Sequence, residues 1–259
     1  MLDRPEVLTL LFHPRREYGR FSRDDADLLI PVSGGDRIGA RYFLAGTQAP
    51  TILFFHGNGE IIADYDDLAP HFVARGMNFF AADYRGYGRS TGMPTVTALL
   101  KDAIDIWDFM VRYLDDRGCG GDRFVMGRSL GSAPALEIAA ERQKEVRGLI
   151  LESAFAYTIP LLRFLGVPEE ILGLVEEAGL SHIEKIMRVA APILVIHGES
   201  DRIIPYTDGR ALYEASASVS KDFLLIAGAG HNDLFLRGFQ EYLDAVERLV
   251  KQGRPGRQA

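Results

Sequence analysis

The sequence predicts an α/β fold: a mostly parallel sheet with helices on both faces. Three observations carry that expectation. Strand-like and helix-like stretches alternate along nearly the whole chain. The strands are near-continuous apolar runs, such as Thr51-Ile52-Leu53-Phe54-Phe55 and Ile193-Leu194-Val195-Ile196, the pattern of strands buried on both faces. A strand, G-x-S-x-G, helix unit lies in the middle, from Asp122 to Arg142. With 259 residues, 47% hydrophobic and 25% charged, the chain fits one large α/β domain or two small ones, with a full core.

Taken in order, residues 1 to 25 read as irregular, with Leu8 to Phe12 as their apolar cluster. Ala26 to Pro31 and Arg37 to Leu44 read as strands joined by the hairpin signal Ser33-Gly34-Gly35-Asp36. Thr51 to His56 is a buried strand ending in His56-Gly57-Asn58-Gly59, and a helix is expected from about Ile61 to Arg75. The strand Asn78 to Ala82 runs into Asp83-Tyr84-Arg85-Gly86-Tyr87-Gly88. Thr95 to about Arg117 predicts a long amphipathic helix, capped by Thr95 or Thr97, with Leu99, Ala103, Ile106, Trp107, Met110 and Leu114 on its apolar stripe.

After the central strand at Phe124 to Met126, strands are expected at Val146 to Leu151, Pro192 to Ile196 and Asp222 to Ile226, which completes eight. Helices follow near Thr207 to Ala217 and Leu234 to Lys251, and Gln252 to Ala259 read as a frayed tail. Phe155 to Val189 breaks the rhythm. It is too long for a simple crossover and reads as two or three short helices rich in Leu and Ile, broken by Pro160, Gly166-Val167-Pro168 and Gly179. We expect a small helical cap over the strand ends here, inserted in a single domain spanning 1–259.

Composition excludes several functions. A net charge of −7 offers no nucleic-acid surface. No run approaches the ~18 apolar residues of a spanning helix, so no stable membrane insertion is expected. Met1-Leu2-Asp3-Arg4-Pro5 lacks the basic and apolar regions of a secretory signal, and one cysteine, Cys119, excludes an internal disulfide framework. The expected location is cytoplasmic. Cys119 itself lies in a Gly-rich loop and reads as a bystander thiol. Nothing in the sequence speaks to oligomeric state.

The chemistry starts at Gly127-Arg128-Ser129-Leu130-Gly131. A short apolar run enters it and a helical pattern (Leu130, Ala133, Leu136, Ile138) leaves at once, the context of a serine held on a sharp strand-to-helix turn. Pro134 falls in that helix's first turn, where proline is tolerated. A second match, Gly88-Arg89-Ser90-Thr91-Gly92, has neither a strand entering nor a helix leaving, so Ser90 reads as a turn or cap residue. Ser129 is the candidate nucleophile.

A serine hydroxyl needs an adjacent base, itself oriented by an acid. In this architecture the chain order is Ser, acid, His. His231 follows the last strand in a loop before the terminal helix and is the candidate base; His197, like His56, reads as a packed residue at a strand end, and His182 falls in the cap. Asp201 is the candidate acid, in the loop after the strand Ile193 to Ile196, preferred to Glu199, with Glu152 as runner-up. The tetrahedral oxyanion must meet backbone N–H groups, expected from Leu130 at a helix N-terminus and from Asn58 in the H-G-N-G loop. Arg128 could face an anionic substrate, but a salt bridge to a neighbouring loop is the expectation.

These motifs resemble the α/β-hydrolase superfamily: H-G-N-G at His56, D-Y-R-G-Y-G-R-S at Asp83, G-R-S-L-G at Gly127, H-G-E-S-D at His197 and G-H at Gly230. They span nearly the whole chain in the right order. Within it the sequence is similar to the branch of monoacylglycerol lipases, protein depalmitoylases and bacterial hydrolases, without the N-terminal cysteine cluster of eukaryotic depalmitoylases. The resemblance implies catalytic roles for Ser129, Asp201 and His231, oxyanion roles for Asn58 and Leu130, and a structural D-Y-R-G-Y-G-R-S loop. The expected function is hydrolysis of a carboxylic ester or thioester of a small acyl substrate through an acyl-enzyme, with no cofactor and no metal. An aminopeptidase or amidase on the same residues is the alternative, and a non-catalytic ligand-binding protein a third.

Overall fold

The computed structural model describes residues 2–18, 26–173 and 179–252. An eight-stranded sheet forms the centre: β1 (Asp27–Pro31), β2 (Arg37–Phe43), β3 (Thr51–Phe55), β4 (Asn78–Ala82), β5 (Arg123–Arg128), β6 (Leu149–Glu152), β7 (Ile193–Gly198) and β8 (Lys221–Ile226). Their order across the sheet is β1-β2-β4-β3-β5-β6-β7-β8. The pairs β1–β2 and β2–β4 are antiparallel and every other pair is parallel. The α/β fold expected from the alternating pattern is the fold observed.

Helices cover both faces because each central strand is apolar on both. Along β3, Leu53 and Phe55 pack with α3 (Val96–Asp116) and α4 (Ser132–Glu141), while Ile52 and Phe54 pack with α2 (Ala69–Ala74) and α10 (Phe239–Gln252). Successive side chains of a strand point to opposite faces, so one continuous apolar run serves two cores. Thr95 caps α3 by accepting the N–H of Ala98, and Trp107 is fully buried, its indole N–H donating to Glu145.

Three expectations about the helices change. Pro5–Leu11 is a helix, α1, rather than irregular chain; Pro5 occupies its first turn, where the missing N–H costs nothing, and Val7 and Leu11 are buried. The stretch expected as one helix from Ile61 to Arg75 splits into a 3-10 turn, Ile62–Tyr65, and α2, which restarts at Ala69-Pro70. The terminal helix likewise splits at Gly238 into α9 (Leu234–Arg237) and α10. A Cβ on Gly238 would lie 2.7 Å from Ile226 Cδ1 and from Glu241 Oε1, so the chain passes close to the end of β8 here and a larger residue would have to displace those side chains.

Between β6 and β7 lie α5 (Thr158–Phe164), α6 (Glu169–Leu172) and α7 (His182–Arg188). Helix α7 packs on α4 and on α8 (Tyr206–Ala215), as a crossover helix does. Helix α5 instead packs on α6 and α1. Part of the expected cap (174–178), residues 19–25 of the segment read as irregular, and 253–259 of the expected frayed tail lie outside the described residues; Gln252 closes α10. Cys119 is buried, its sulfur 4.0 Å from the Tyr42 hydroxyl.

Candidate active site

Parallel strands bring their carboxyl ends to one edge, where ligands of such sheets bind. The register aligns Phe55 with Gly127, Arg128 with Glu152 and Glu152 with Ile196. The loops after β3, β5, β7 and β8 therefore meet.

Ser129 sits at the end of β5 with φ 51°, a left-handed conformation that costs a non-glycine residue about 1–3 kcal/mol. The turn is enforced by close packing. A Cβ on Gly127 would lie 2.1 Å from the Gly131 carbonyl oxygen, and one on Gly131 would lie 2.2 Å from that of Phe55. Both glycines of G-x-S-x-G are thus required by backbone approach rather than by flexibility. The Ser132 hydroxyl donates to the Ser129 carbonyl at 2.7 Å and steadies the turn.

The expected partners converge on this serine. Ser129 Oγ lies 3.0 Å from His231 Nε2, and His231 Nδ1 lies 2.7 Å from Asp201 Oδ2. Asp201 Oδ1 accepts the N–H groups of Ile203 and Ile204, each at 2.9 Å. Burial opposes ionisation of Asp201, but the bonds from His197, His231 and the backbone outweigh it. They hold the carboxyl well below the ordinary carboxylate range. A permanent carboxylate fixes the imidazole tautomer with its proton on Nδ1, leaving Nε2 free to accept from Ser129. The arrangement can deprotonate a hydroxyl and return the proton to a leaving group.

The other candidates are engaged elsewhere. Glu152 bonds Arg128 at 3.1 Å and accepts the Tyr242 hydroxyl at 2.6 Å, and Glu199 accepts the Gly228 N–H. His56 bonds Asp83 and His182 donates to the Phe155 carbonyl, whereas His197 stays beside the acid, its Nε2 donating to the Ile204 carbonyl and lying 3.5 Å from Asp201 Oδ2. Ser90 is fully buried and its hydroxyl accepts the Gly39 N–H at 2.9 Å. Ser90 itself does not line the cleft.

Asn58 and Leu130 line a cleft of about 200 Å³ together with Ser129 and His231. Leu11, Leu130, Leu161, Leu165, Ile203 and Ile204 form its apolar wall, with Leu161 on α5 and Leu165 just beyond it. The Asn58 side chain has a task the sequence did not disclose. Its Oδ1 accepts the His13 N–H at 2.9 Å and the Tyr87 hydroxyl at 2.7 Å, and its Nδ2 donates to the Leu11 carbonyl. The H-G-N-G loop is tied to the N-terminal segment by this residue.

Also missed was a charged cluster at the edge of the cleft, centred on the buried Arg128 and Glu152. Arg128 meets Glu60, Glu152, the His231 carbonyl and Asn232, which is the expected salt bridge in fuller form. Glu60 in turn accepts the Gly57 N–H at 2.6 Å and the Tyr65 hydroxyl at 2.5 Å. Burial raises the Glu60 pKa, yet Arg128, Tyr65 and Gly57 lower it further, so it stays ionised. Alternation at Arg128 and Glu152, polar residues ending apolar strands, was the one available signal. Among the described residues, no cluster of three or more His, Cys, Asp or Glu side chains could hold a metal ion, and no helix is long and apolar enough to cross a membrane.

Comparison with known proteins gives concordant matches. Residues 46–177 match the family model described as serine aminopeptidase, S33. The chain is 31% identical over 236 residues to human alpha/beta hydrolase domain-containing protein 17B, covering 85% of this chain and 73% of that protein. It is 29% identical over 249 residues to mouse alpha/beta hydrolase domain-containing protein 17C, covering 92% and 72%. An esterase of Pyrococcus furiosus superposes with a TM-score of 0.73 at 18% identity over 93% of this chain and 97% of that one. A soluble variant of Saccharomyces cerevisiae monoglyceride lipase, bound to a substrate analogue, gives 0.69 at 16% identity over 92% and 99%.

Proposed function

The chain belongs to the α/β-hydrolases of the serine aminopeptidase S33 type, and from that premise we propose that it cleaves a carboxylic ester or thioester through an acyl-enzyme on Ser129. The observation that carries this reading is the continuous pair of contacts, Ser129 Oγ to His231 Nε2 at 3.0 Å and His231 Nδ1 to Asp201 at 2.7 Å.

In this reading Ser129 Oγ attacks the acyl carbonyl carbon as its proton passes to His231 Nε2. The carbonyl oxygen becomes an oxyanion that accepts from the N–H groups of Leu130 and Asn58. The imidazolium, stabilised by the Asp201 carboxylate, protonates the departing alkoxide or thiolate, leaving the acyl group on Ser129. Water then attacks the ester, giving its proton to His231, and the acid departs as Ser129 Oγ recovers a proton. The apolar wall receives the acyl chain. Helices α5 and α6 act as the cap of this single domain, a reading supported by Leu161 and Leu165 in the cleft wall. The single cysteine, Cys119, accords with the cytoplasm as its location.

The family description favours a second reading, amide cleavage next to a free amino terminus. An aminopeptidase needs an unpaired carboxylate to receive the substrate ammonium. Among the described residues Glu60 is the acidic residue of the cleft lining, and both its oxygens are already bonded, to Arg128 and to Gly57 and Tyr65. The ester reading is therefore preferred. The test is turnover of p-nitrophenyl butyrate and its matched anilide by wild type and Ser129→Ala. Ester hydrolysis lost in the variant, down to roughly 10³-fold over water, supports the reading. Equal ester turnover in both proteins would end it, and a faster anilide would reverse the preference.

A further inference from the structure

We propose that Arg128 is a positioning residue for this site, its guanidinium locking the oxyanion loop, the nucleophile turn and the base loop into one register. Arg128 is the last residue of β5 and directly precedes Ser129. The residue is buried, 7% exposed, and its side chain does not line the cleft. It touches none of the reacting atoms.

Its bonds reach separate parts of the site. Nε donates to Glu60 Oε1 at 3.0 Å, and Glu60 passes the constraint to the oxyanion loop, because its other oxygen holds the N–H of Gly57, next to Asn58. Nη1 donates to the carbonyl of His231 at 2.9 Å, and Nη2 to Asn232 Oδ1 at 2.8 Å. The residue whose imidazole lies between Ser129 and Asp201 is thus fixed at its own backbone. Nη1 also donates to Glu152 at 3.1 Å. Glu152 is the register partner of Arg128 on β6 and is itself held by the Tyr242 hydroxyl at 2.6 Å, so the fork is anchored to the sheet.

The geometry demands a guanidinium. Its five N–H donors point in fixed, divergent directions within one plane, whereas the lysine ammonium presents three from a single point. An ammonium can balance Glu60 and Glu152 but cannot span them and both groups of the base loop. Reacting groups displaced by about 1 Å lose about 10²-fold in rate. Arg128 acts on kcat through that displacement, while the apolar wall that binds the acyl chain is untouched.

This inference rests on the proposed chemistry of Ser129, so its test includes a readout independent of turnover. Arg128→Lys keeps the positive charge between the two carboxylates. Measured would be kcat and KM for p-nitrophenyl butyrate, the thermal midpoint, and the low-field proton resonance of the Asp201–His231 hydrogen bond. The expected result is a folded protein with KM within about threefold, kcat lower by about 10²-fold, and the low-field resonance lost or shifted. Unchanged kcat per folded molecule with the resonance intact overturns the proposal, whatever happens to the thermal midpoint. Should Arg128→Lys not fold, Arg128→Gln with Glu152→Gln removes opposite buried charges together and must show the same split between kcat and KM. A wild type that turns over no ester, yet whose resonance is lost in Arg128→Lys, defeats the hydrolase reading and upholds the positioning role. An active wild type with an unaffected variant does the opposite.

Discussion

Lengthening the acyl chain of an ester substrate gives a quantitative prediction from the cleft. Its volume is about 200 Å³, and six Leu and Ile side chains line it. A methylene occupies the ~30 Å³ that one water takes in the liquid, so roughly six methylenes fill the space. Each buried methylene stabilises the bound transition state by about 0.8 kcal/mol, or roughly fourfold in kcat/KM. From acetate to octanoate, six methylenes, the gain is at most about 5 kcal/mol, roughly 3 × 10³-fold. Beyond octanoate or so the added methylenes find no wall and the gain stops. The assay is kcat/KM across p-nitrophenyl esters from acetate to palmitate, below their aggregation concentrations. Leu161→Trp, which fills the cleft from α5, should move the optimum to a shorter acid. A kcat/KM still climbing from decanoate to palmitate, or flat from acetate onward, would refute the assignment of this wall to the acyl chain.

Other consequences follow from single residues. Asp201→Asn replaces the carboxylate that fixes the His231 tautomer, and kcat should fall by about 10⁴-fold, whereas Glu152→Gln should lose far less; the reverse order in steady-state kinetics would move the acid to β6. Gly131→Ala places a Cβ 2.2 Å from the Phe55 carbonyl oxygen and should lower urea-unfolding stability by about 1–3 kcal/mol or more; a neutral effect would deny that the elbow is closely packed. Burial pushes the His182 pKa down from 6.5 to about 3, so the unfolded chain binds a proton there that the native one refuses. Stability is therefore retained above pH 6.5 and lost as pH falls toward 3, by about 3 kcal/mol between pH 6.5 and 4 from this residue. His182→Asn should flatten that part of the stability–pH curve, and an unaltered slope would count against a neutral buried imidazole.

Much of this was legible in the sequence because it is written locally. Runs of four apolar residues, Ile52 to Phe55 and Ile193 to Ile196, state both that β3 and β7 are strands and that they are covered on both faces. The elbow is legible because its geometry needs Gly127 and Gly131 at fixed offsets from Ser129, and the order of Asp201 and His231 after it follows from the topology. What escaped depends on residues distant in the chain. Nothing near Arg128 announces Glu60 or Asn232, which are brought to it only by the register of β3, β5 and β8. The side-chain bonds of Asn58 to Tyr87 and Leu11 are equally non-local. The helix errors have a different origin. Pro70 and Gly238 lie inside patterns periodic enough to read as single helices, and the apolar period outweighed the breaker. Helix α1 is seven residues long and is held by packing of Val7 and Leu11 rather than by a strong pattern of its own.

The central claim is that Ser129 is an activated nucleophile, and covalent capture tests it without knowledge of the substrate. The protein would be treated with a fluorophosphonate, its intact mass recorded, and the modified peptide sequenced. The expected result is a single adduct on Ser129, absent from Ser129→Ala and retained in Ser90→Ala. No adduct on the wild-type protein, or one on Ser90, would contradict it.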